Sequence, residues 1–391
     1  MNPIPILQIV GNSEGGGTRL VMAIMDRLES SRFHFTLVAP KSIWLADACA
    51  RIGAEYKPLP LMKGRFSAAL PRDLRAIIGK ATPAIAHAHG TRAAWFTLRS
   101  LSGVADPPPL IYSEHLFSMD ARRGPFALPY RLVERSICRR AARITTSRAG
   151  NAERIIRAGW TAADRVPLRH YGVAQVAIQA QVARALSRRE LGLSDATPLV
   201  GSIGRLVPQK GFSYLLRAMK QVCIRYPGAQ CLIVGDGPLR AALEKECRDL
   251  GIASHVRFLG AQPAPWTALA NCDVIALPSV FEGLPLTLLE ALAVGMPVVA
   301  TQTGGAAEVL IHGRNGLLAP IRDATALAHT LDRLLGDPLL REEFRAAAPA
   351  SVADYDLAPV TARMAAMYER LVAEMEPKPR VGQFAHGPPL L

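Results

Sequence analysis

Hydrophobic positions along the chain fall into short continuous runs separated by turns rich in glycine, proline and charge. Ile4–Val10, Phe35–Ala39, Ala84–His89, Leu110–Ser113 and Arg143–Thr146 are predicted strands in the first half, with helical stretches such as Arg19–Leu28 between them. The second half repeats the alternation, with strands at Leu199–Ile203, at the start of 230–240, at 256–260 and a short one within 312–320, besides a β-branched run at Val298–Thr301. Continuous apolar strands alternating with helices predict α/β architecture around mostly parallel sheets. Helices are expected over 324–347 and 358–375, and residues 173–196 read as a polar, Ala- and Arg-rich connector.

The chain is organised around residues 278–305, PSVFEGLPLTLLEALAVGMPVVATQTGG. A turn-rich opening leads into an apolar helix, Leu286 to Val294, stopped by Gly295 with Pro297 just beyond. Glu290 lies inside this helix, where a carboxylate needs a partner or a polar cleft, since an isolated buried charge is strongly unfavourable. Glu282 precedes the helix start at Pro285, where backbone N–H groups and the macrodipole favour anions. Burial statistics alone would make Glu282 a solvated loop acid and Glu290 the partner of a core arginine.

Other stretches carry chemistry at predicted strand ends, where ligands gather in open α/β sheets. GNSEGGGT follows the first strand and can bring backbone N–H groups close to a phosphate, although it is not a G-x-G-x-x-G fingerprint. HAHG (His87, His89) and SEHLF (Glu114, His115) end two later strands. His87 and His89 lack a carboxylate companion at metal-ligand spacing and are read as structural. GRLVPQKGF places Arg205 and Lys210 on a loop feeding a helix, a fork and a point charge suited to phosphate.

At 391 residues the chain exceeds one core and suggests two domains. Its six cysteines show no C-x-x-C and no metal spacing, so neither a disulfide framework nor a zinc site is expected. The start, MNPIPILQIV, lacks a positive n-region, and no secretory signal or membrane span is expected. The net charge is +14, and residues 1–184 carry all of the excess, with 26 Lys+Arg against 12 Asp+Glu. Such asymmetry points to an anionic partner for the first half. Residues 119–143 interleave arginines with Phe126, Leu128, Tyr130, Leu132 and Ile137, which suits a helix at an anionic lipid surface and equally a surface helix whose stripe faces the core.

The 278–305 stretch, with a Glu, seven residues and a second Glu, resembles the signature of retaining glycosyltransferases of family four with the GT-B fold. GRLVPQKG and VGDGP resemble that family's diphosphate loop and its following turn. The resemblance covers nearly the whole chain, most tightly residues 199–320, and implies two Rossmann-like domains with parallel sheets facing across a cleft. It implies an N-terminal acceptor-side domain over 1–172, completed by a returning helix at 358–375, a linker at 173–196, and a nucleotide-sugar domain over 197–357. Residues 376–391 are expected to be a disordered tail.

By the same resemblance, Gly16 and Gly17 would approach the donor diphosphate, Arg205 and Lys210 would bind it, and Glu290 would hold the ribose. Glu282 would hold the donor sugar's hydroxyls, and His115 would lie near the reacting carbon. The activity implied is transfer from a nucleotide-diphosphate sugar, of the UDP class, to a hydroxyl of a glycan or lipid-linked acceptor. No cofactor and no metal are expected, nor nucleic acid as a partner. The location expected is cytoplasmic, peripheral on the inner face of the membrane. Two departures stand out: Ser113 where the family often has Thr, and Tyr171-Gly172-Val173-Ala174 where it has an Asn-Gly-Val-Asp-like turn. A nucleotide-sugar epimerase on the same fold and a non-enzymatic binder of anionic polymers remain as rivals.

Overall fold

The computed structural model describes residues 2–375 except 14, 62–68, 116, 118–126, 170 and 171. Seven strands come from the first half: β1 (Ile4–Val10), β2 (Phe33–Ala39), β3 (Glu55–Pro58), β4 (Ile85–His89), β5 (Leu110–Glu114), β6 (Arg143–Thr146) and β7 (Leu168–Arg169). Six come from the second: β8 (Leu199–Ile203), β9 (Gln230–Val234), β10 (Val256–Gly260), β11 (Val274–Leu277), β12 (Val298–Thr301) and β13 (Leu317–Ala319). They form two sheets, ordered β3-β2-β1-β4-β5-β6-β7 and β10-β9-β8-β11-β12-β13. The pairings within both sheets are parallel.

Strand order explains where a ligand would go. In each sheet the chain first runs outward to one edge, then returns and builds toward the other. The reversal falls between β1 and β4 in the first sheet and between β8 and β11 in the second. Loops leaving neighbouring strands diverge there and open a crevice at the carboxyl ends.

Helices cover both faces, so inner strands such as β4 and β11 are buried throughout; β11 is continuously apolar, whereas β4 buries two histidines. One core cluster includes Ile6 and Leu37 of the first sheet, Val360 and Tyr368 of the last helix, and Leu292 and Val298 of the second half. Separate clusters line the other face of each sheet, one around Leu7, Tyr112 and Phe117, the other around Leu216, Ile233 and Val274.

The helix Leu357–Met375 begins one residue before its predicted start and returns to the first sheet. Phe33 meets Tyr368 edge-on with ring centroids 5.9 Å apart, and Arg143 pairs with Glu374. The two chain crossings lie side by side. Val173 N donates to Tyr355 O at 2.8 Å, and Leu357 N donates to Val173 O at 2.9 Å.

Two expectations need correction. The helix expected over 324–347 is two, Ala324–Gly336 and Pro338–Ala347, because Asp337 caps the second by accepting from Leu340 N and Pro338 cannot continue the first. The connector is not merely polar: Gln175–Val182 is a helix with Ile178 buried in the core. Arg188 then grips Asp273 and the carbonyls of Asp195 and Asn271. The predicted tail and the residues 119–126, 170 and 171 lie outside the described residues.

Candidate active site

The loop after β11 carries Glu282, which is 8% exposed. One carboxylate oxygen accepts from Ser279 Oγ at 3.0 Å and also pairs with Lys210 Nζ. Lys210 closes the short turn Pro208–Lys210 after β8. The two loops are stitched together by Val280 N donating to Gln209 O at 2.8 Å and Gln209 Nε2 donating to Phe281 O at 2.9 Å. They also pass too closely for a side chain at Gly211, where a Cβ would fall 2.1 Å from Pro278 O, and the positive φ of 68° there suits glycine alone. Sequence spacing could not show that Lys210 and Glu282 neutralise one another.

Glu290, half-buried in the helix Leu286–Ala293, accepts from Trp266 Nε1 at 3.3 Å. Burial raises its pKa above the ordinary carboxylate value, opposed by the Trp266 hydrogen bond and then by the positive charges of Arg19 and Lys210. Arg19 comes from the first half, so the acid senses cations from both sides of the cleft. Trp266 was not singled out in the sequence, and nothing in PAPWTAL marks it. Arg205 is exposed beside Lys210 on the same loop and forms no ion pair with the described residues.

Across the cleft, His115 follows β5. A Cβ on Gly283 would lie 2.3 Å from the His115 carbonyl oxygen, so the backbone beside Glu282 touches the backbone of His115. A Cβ on Gly17 would sit 3.5 Å from His115 Nδ1, and one on Gly16 would meet Leu286 at 3.0 Å. The structure thus brings Gly16, Gly17, His115, Glu282, Lys210 and Glu290 to the facing switch points of the two sheets, with Arg205 at the rim. Burial pushes the His115 imidazole down to about 4. Its neighbour Glu114 is buried and accepts from Asn151 Nδ2 at 2.9 Å. Burial pushes that carboxyl up to about 7, against the Asn151 and Ser147 hydrogen bonds and the charges of Arg154 and Arg148.

A second contact holds the halves together. Glu308 accepts from Ala149 N at 3.1 Å and Gly150 N at 2.9 Å, capping the helix Ala149–Arg157, and lies 3.9 Å from Arg148 Nε. The Arg148 guanidinium packs against Gly304, where a Cβ would fall 2.4 Å from it. Among the described residues, no group of three or more His, Cys, Asp or Glu side chains is placed to hold a metal ion.

Comparison with known proteins agrees with this layout. The family model "Glycosyl transferases group 1" matches residues 183–351, and "Glycosyltransferase Family 4" matches residues 14–173. The chain is 35% identical over 198 residues to the lipopolysaccharide core biosynthesis glycosyltransferase LpsE of Rhizobium meliloti, covering 51% of this chain and 55% of that one. It is 39% identical over 165 residues to the GDP-mannose-dependent alpha-(1-6)-phosphatidylinositol monomannoside mannosyltransferase of Mycolicibacterium smegmatis, covering 40% and 43%. The chain thus spans about half the length of the curated relatives it matches. Among solved structures, Anabaena HepE in complex with UDP and glucose superposes with a TM-score of 0.79 at 20% identity, covering 94% of this chain and 100% of that one. Two family models in the expected order, on paired parallel sheets with the fold of HepE, place the chain among the family-four glycosyltransferases of GT-B fold.

Proposed function

We propose that the protein is a retaining glycosyltransferase that moves a sugar from a nucleotide-diphosphate sugar of the UDP class. The acceptor is a hydroxyl of a glycan or lipid-linked acceptor in cell-envelope polysaccharide, lipopolysaccharide or glycolipid synthesis. The observation that carries this reading is the convergence of Glu282, Lys210 and Glu290 with His115 and the Gly16–Gly17 loop at two facing switch points.

In this mechanism Arg205 and Lys210 take the diphosphate, whose negative charge grows as the glycosidic bond breaks. Cations aimed there stabilise the transition state more than the ground state, so neither a metal nor a cofactor is needed. Lys210 already rests on Glu282, so donor binding inserts the phosphate and sugar hydroxyls into an existing ion pair. Glu290 receives the ribose hydroxyls. No side chain is assigned as a covalent nucleophile. The acceptor hydroxyl attacks from the face the phosphate leaves, and the departing phosphate oxygen takes its proton.

Thermal stabilisation by saturating UDP, GDP, ADP and CMP tests the donor class. A ligand at about 100 times its dissociation constant adds about 2.7 kcal/mol. A shift with UDP that is lost in Arg205→Ala is the expected result; a GDP winner reassigns the base, and no shift with any of them removes the reading.

The same reading places the protein in the cytoplasm, with its first half against the anionic inner face of the membrane. The helix Leu128–Arg140 supports this with one face bearing exposed Leu128, Arg131, Leu132, Arg135 and Arg139, the leucines 57% and 55% exposed. Its acid, Glu134, turns inward. Arginines flanking exposed leucines fit lipid better than nucleic acid, which offers nothing to the leucines. No described helix is long and apolar enough to cross a bilayer. Flotation with anionic but not neutral vesicles is expected, and equal binding to both would remove the membrane.

A further inference from the structure

A run of buried hydrogen bonds on the face of the first sheet that the returning helix covers ends at His115. His115 Nε2 faces His89 Nδ1 at 3.4 Å, the longest link. His89 Nε2 is 2.7 Å from Gln8 Oε1, and Gln8 Nε2 donates to the Tyr368 hydroxyl at 3.0 Å. The hydroxyl lies 2.7 Å from His87 Nδ1, and His87 Nε2 lies 2.7 Å from Ser113 Oγ. Ser113 Oγ in turn meets Thr145 Oγ1 at 2.6 Å. Four neighbouring strands (β1, β4, β5 and β6) supply these groups, and the helix returning from the second half supplies Tyr368. Gln8, His87, His89, Ser113, Thr145 and Tyr368 are all buried.

The order of donors and acceptors in this run is forced once one group is fixed. An amide oxygen only accepts, so His89 carries its proton on Nε2 and presents a lone pair on Nδ1. His115 must then bring a proton on Nε2. In the other direction Gln8 donates to the Tyr368 oxygen, the hydroxyl donates to His87 Nδ1, and His87 Nε2–H donates to Ser113. Every link has one donor and one acceptor, and none requires a charged ring. Burial also pushes His87 down to about 3, which keeps that ring neutral, and His115 is likewise depressed.

We propose that Gln8, His89 and Tyr368 are positioning residues that hold His115 in one tautomer, with the proton on Nε2. Tyr368 ties this choice to the helix that ends the described chain. The Nδ1 edge, which carries the lone pair, is the one packed beside Gly17. The use of this edge toward a sugar rests on the glycosyltransferase reading; the tautomer itself does not.

The test is nitrogen-15 NMR of histidine-labelled protein at pH 7, with the His115 signals assigned through His115→Gln. The expected pattern is a protonated Nε2 and an unprotonated Nδ1 on His115. A reversed Gln8 amide would reverse every donor in the run, so a proton on Nδ1 overturns the proposal. Tyr368→Phe should leave the protein folded and turn the single His115 tautomer into a mixture. It should also lower kcat about tenfold with the donor KM unchanged, the signature of misplacement rather than lost binding. An unchanged tautomer in both Tyr368→Phe and Gln8→Leu overturns the relay. If no sugar transfer is found at all, the functional reading fails while the spectra still decide the tautomer.

Discussion

The two strand-end clusters that face each other in the cleft are built from opposite chemistry. On the second-half side, Lys210, Arg205 and Glu282 are charged groups on loops and Glu290 is one on a short helix, and the one tight contact is an ion pair. On the first-half side, His115, His89, His87, Gln8, Ser113 and Tyr368 are polar groups on strands and a helix, joined by buried hydrogen bonds. A charged pair can exchange its partners for a phosphate when one arrives. A directional hydrogen-bond run resists rearrangement, because each broken link leaves a buried polar group unsatisfied. One side is thus suited to receiving charge and the other to holding geometry.

Glu282→Ala should produce the largest effect, since it removes the acid of the second-half ion pair and leaves the first cluster untouched. Sugar transfer should fall roughly 10²–10³-fold, the range for one transition-state contact. Calorimetry should still find nucleoside diphosphate binding, because Lys210 keeps its cation. Transfer at the wild-type rate would remove Glu282 from the chemistry.

Titration separates the sides next, through Glu114 behind His115. Its folded pKa of about 7 lies above the ordinary carboxylate value of 4.5, so the folded state keeps a proton that the unfolded chain has released. Stability therefore falls as pH rises from 4.5 to 7, by about 3 kcal/mol in total for this group. Glu114→Gln should gain stability over wild type across that window and level off above pH 7 in denaturant melts. His87 acts with the opposite sign. Its folded pKa of about 3 lies below 6.5, so its contribution is complete above 6.5 and is lost on acidification toward 3.

Gly283→Ala sharpens the comparison by wedging the clusters apart without removing a group from either. Its Cβ would fall 2.3 Å from the His115 carbonyl oxygen. Transfer should drop about tenfold to a hundredfold, the scale of a 1 Å misplacement, with the histidine spectra unchanged. Altered histidine signals would show that the first-half cluster depends on the contact. The smallest effect is expected from Glu308→Ala, which uncaps the helix Ala149–Arg157 and costs about 1 kcal/mol. Small-angle scattering should show a larger radius for that variant without donor, and an unchanged radius would mean that the cleft stays shut without this contact.

These two sides were not equally legible in the sequence. The inner strands could be placed from their apolar runs, and the stretch from Pro278 to Gly305 announced itself through glycines, prolines and paired acids within a few residues. β3, with the sequence EYKP, is a largely exposed edge strand and carries no apolar run to find. The Glu290–Trp266 contact joins residues 24 apart, and Gln8–Tyr368 joins residues 360 apart. No periodicity encodes such contacts, because the sheet order alone makes them. His87 and His89 could be read as structural strand-end residues, whereas their burial and their partner on the last helix could not be read at all.

The returning helix also imposes an order on how the molecule is made. Val360, Met364, Tyr368 and Leu371 complete the core under the first sheet, yet they leave the ribosome after every strand of the second. The first half to be synthesised is therefore the last to be finished. Until residue 368 emerges, Gln8 and His87 have no Tyr368 hydroxyl to meet, and the nascent first sheet waits with part of one face uncovered while the second folds.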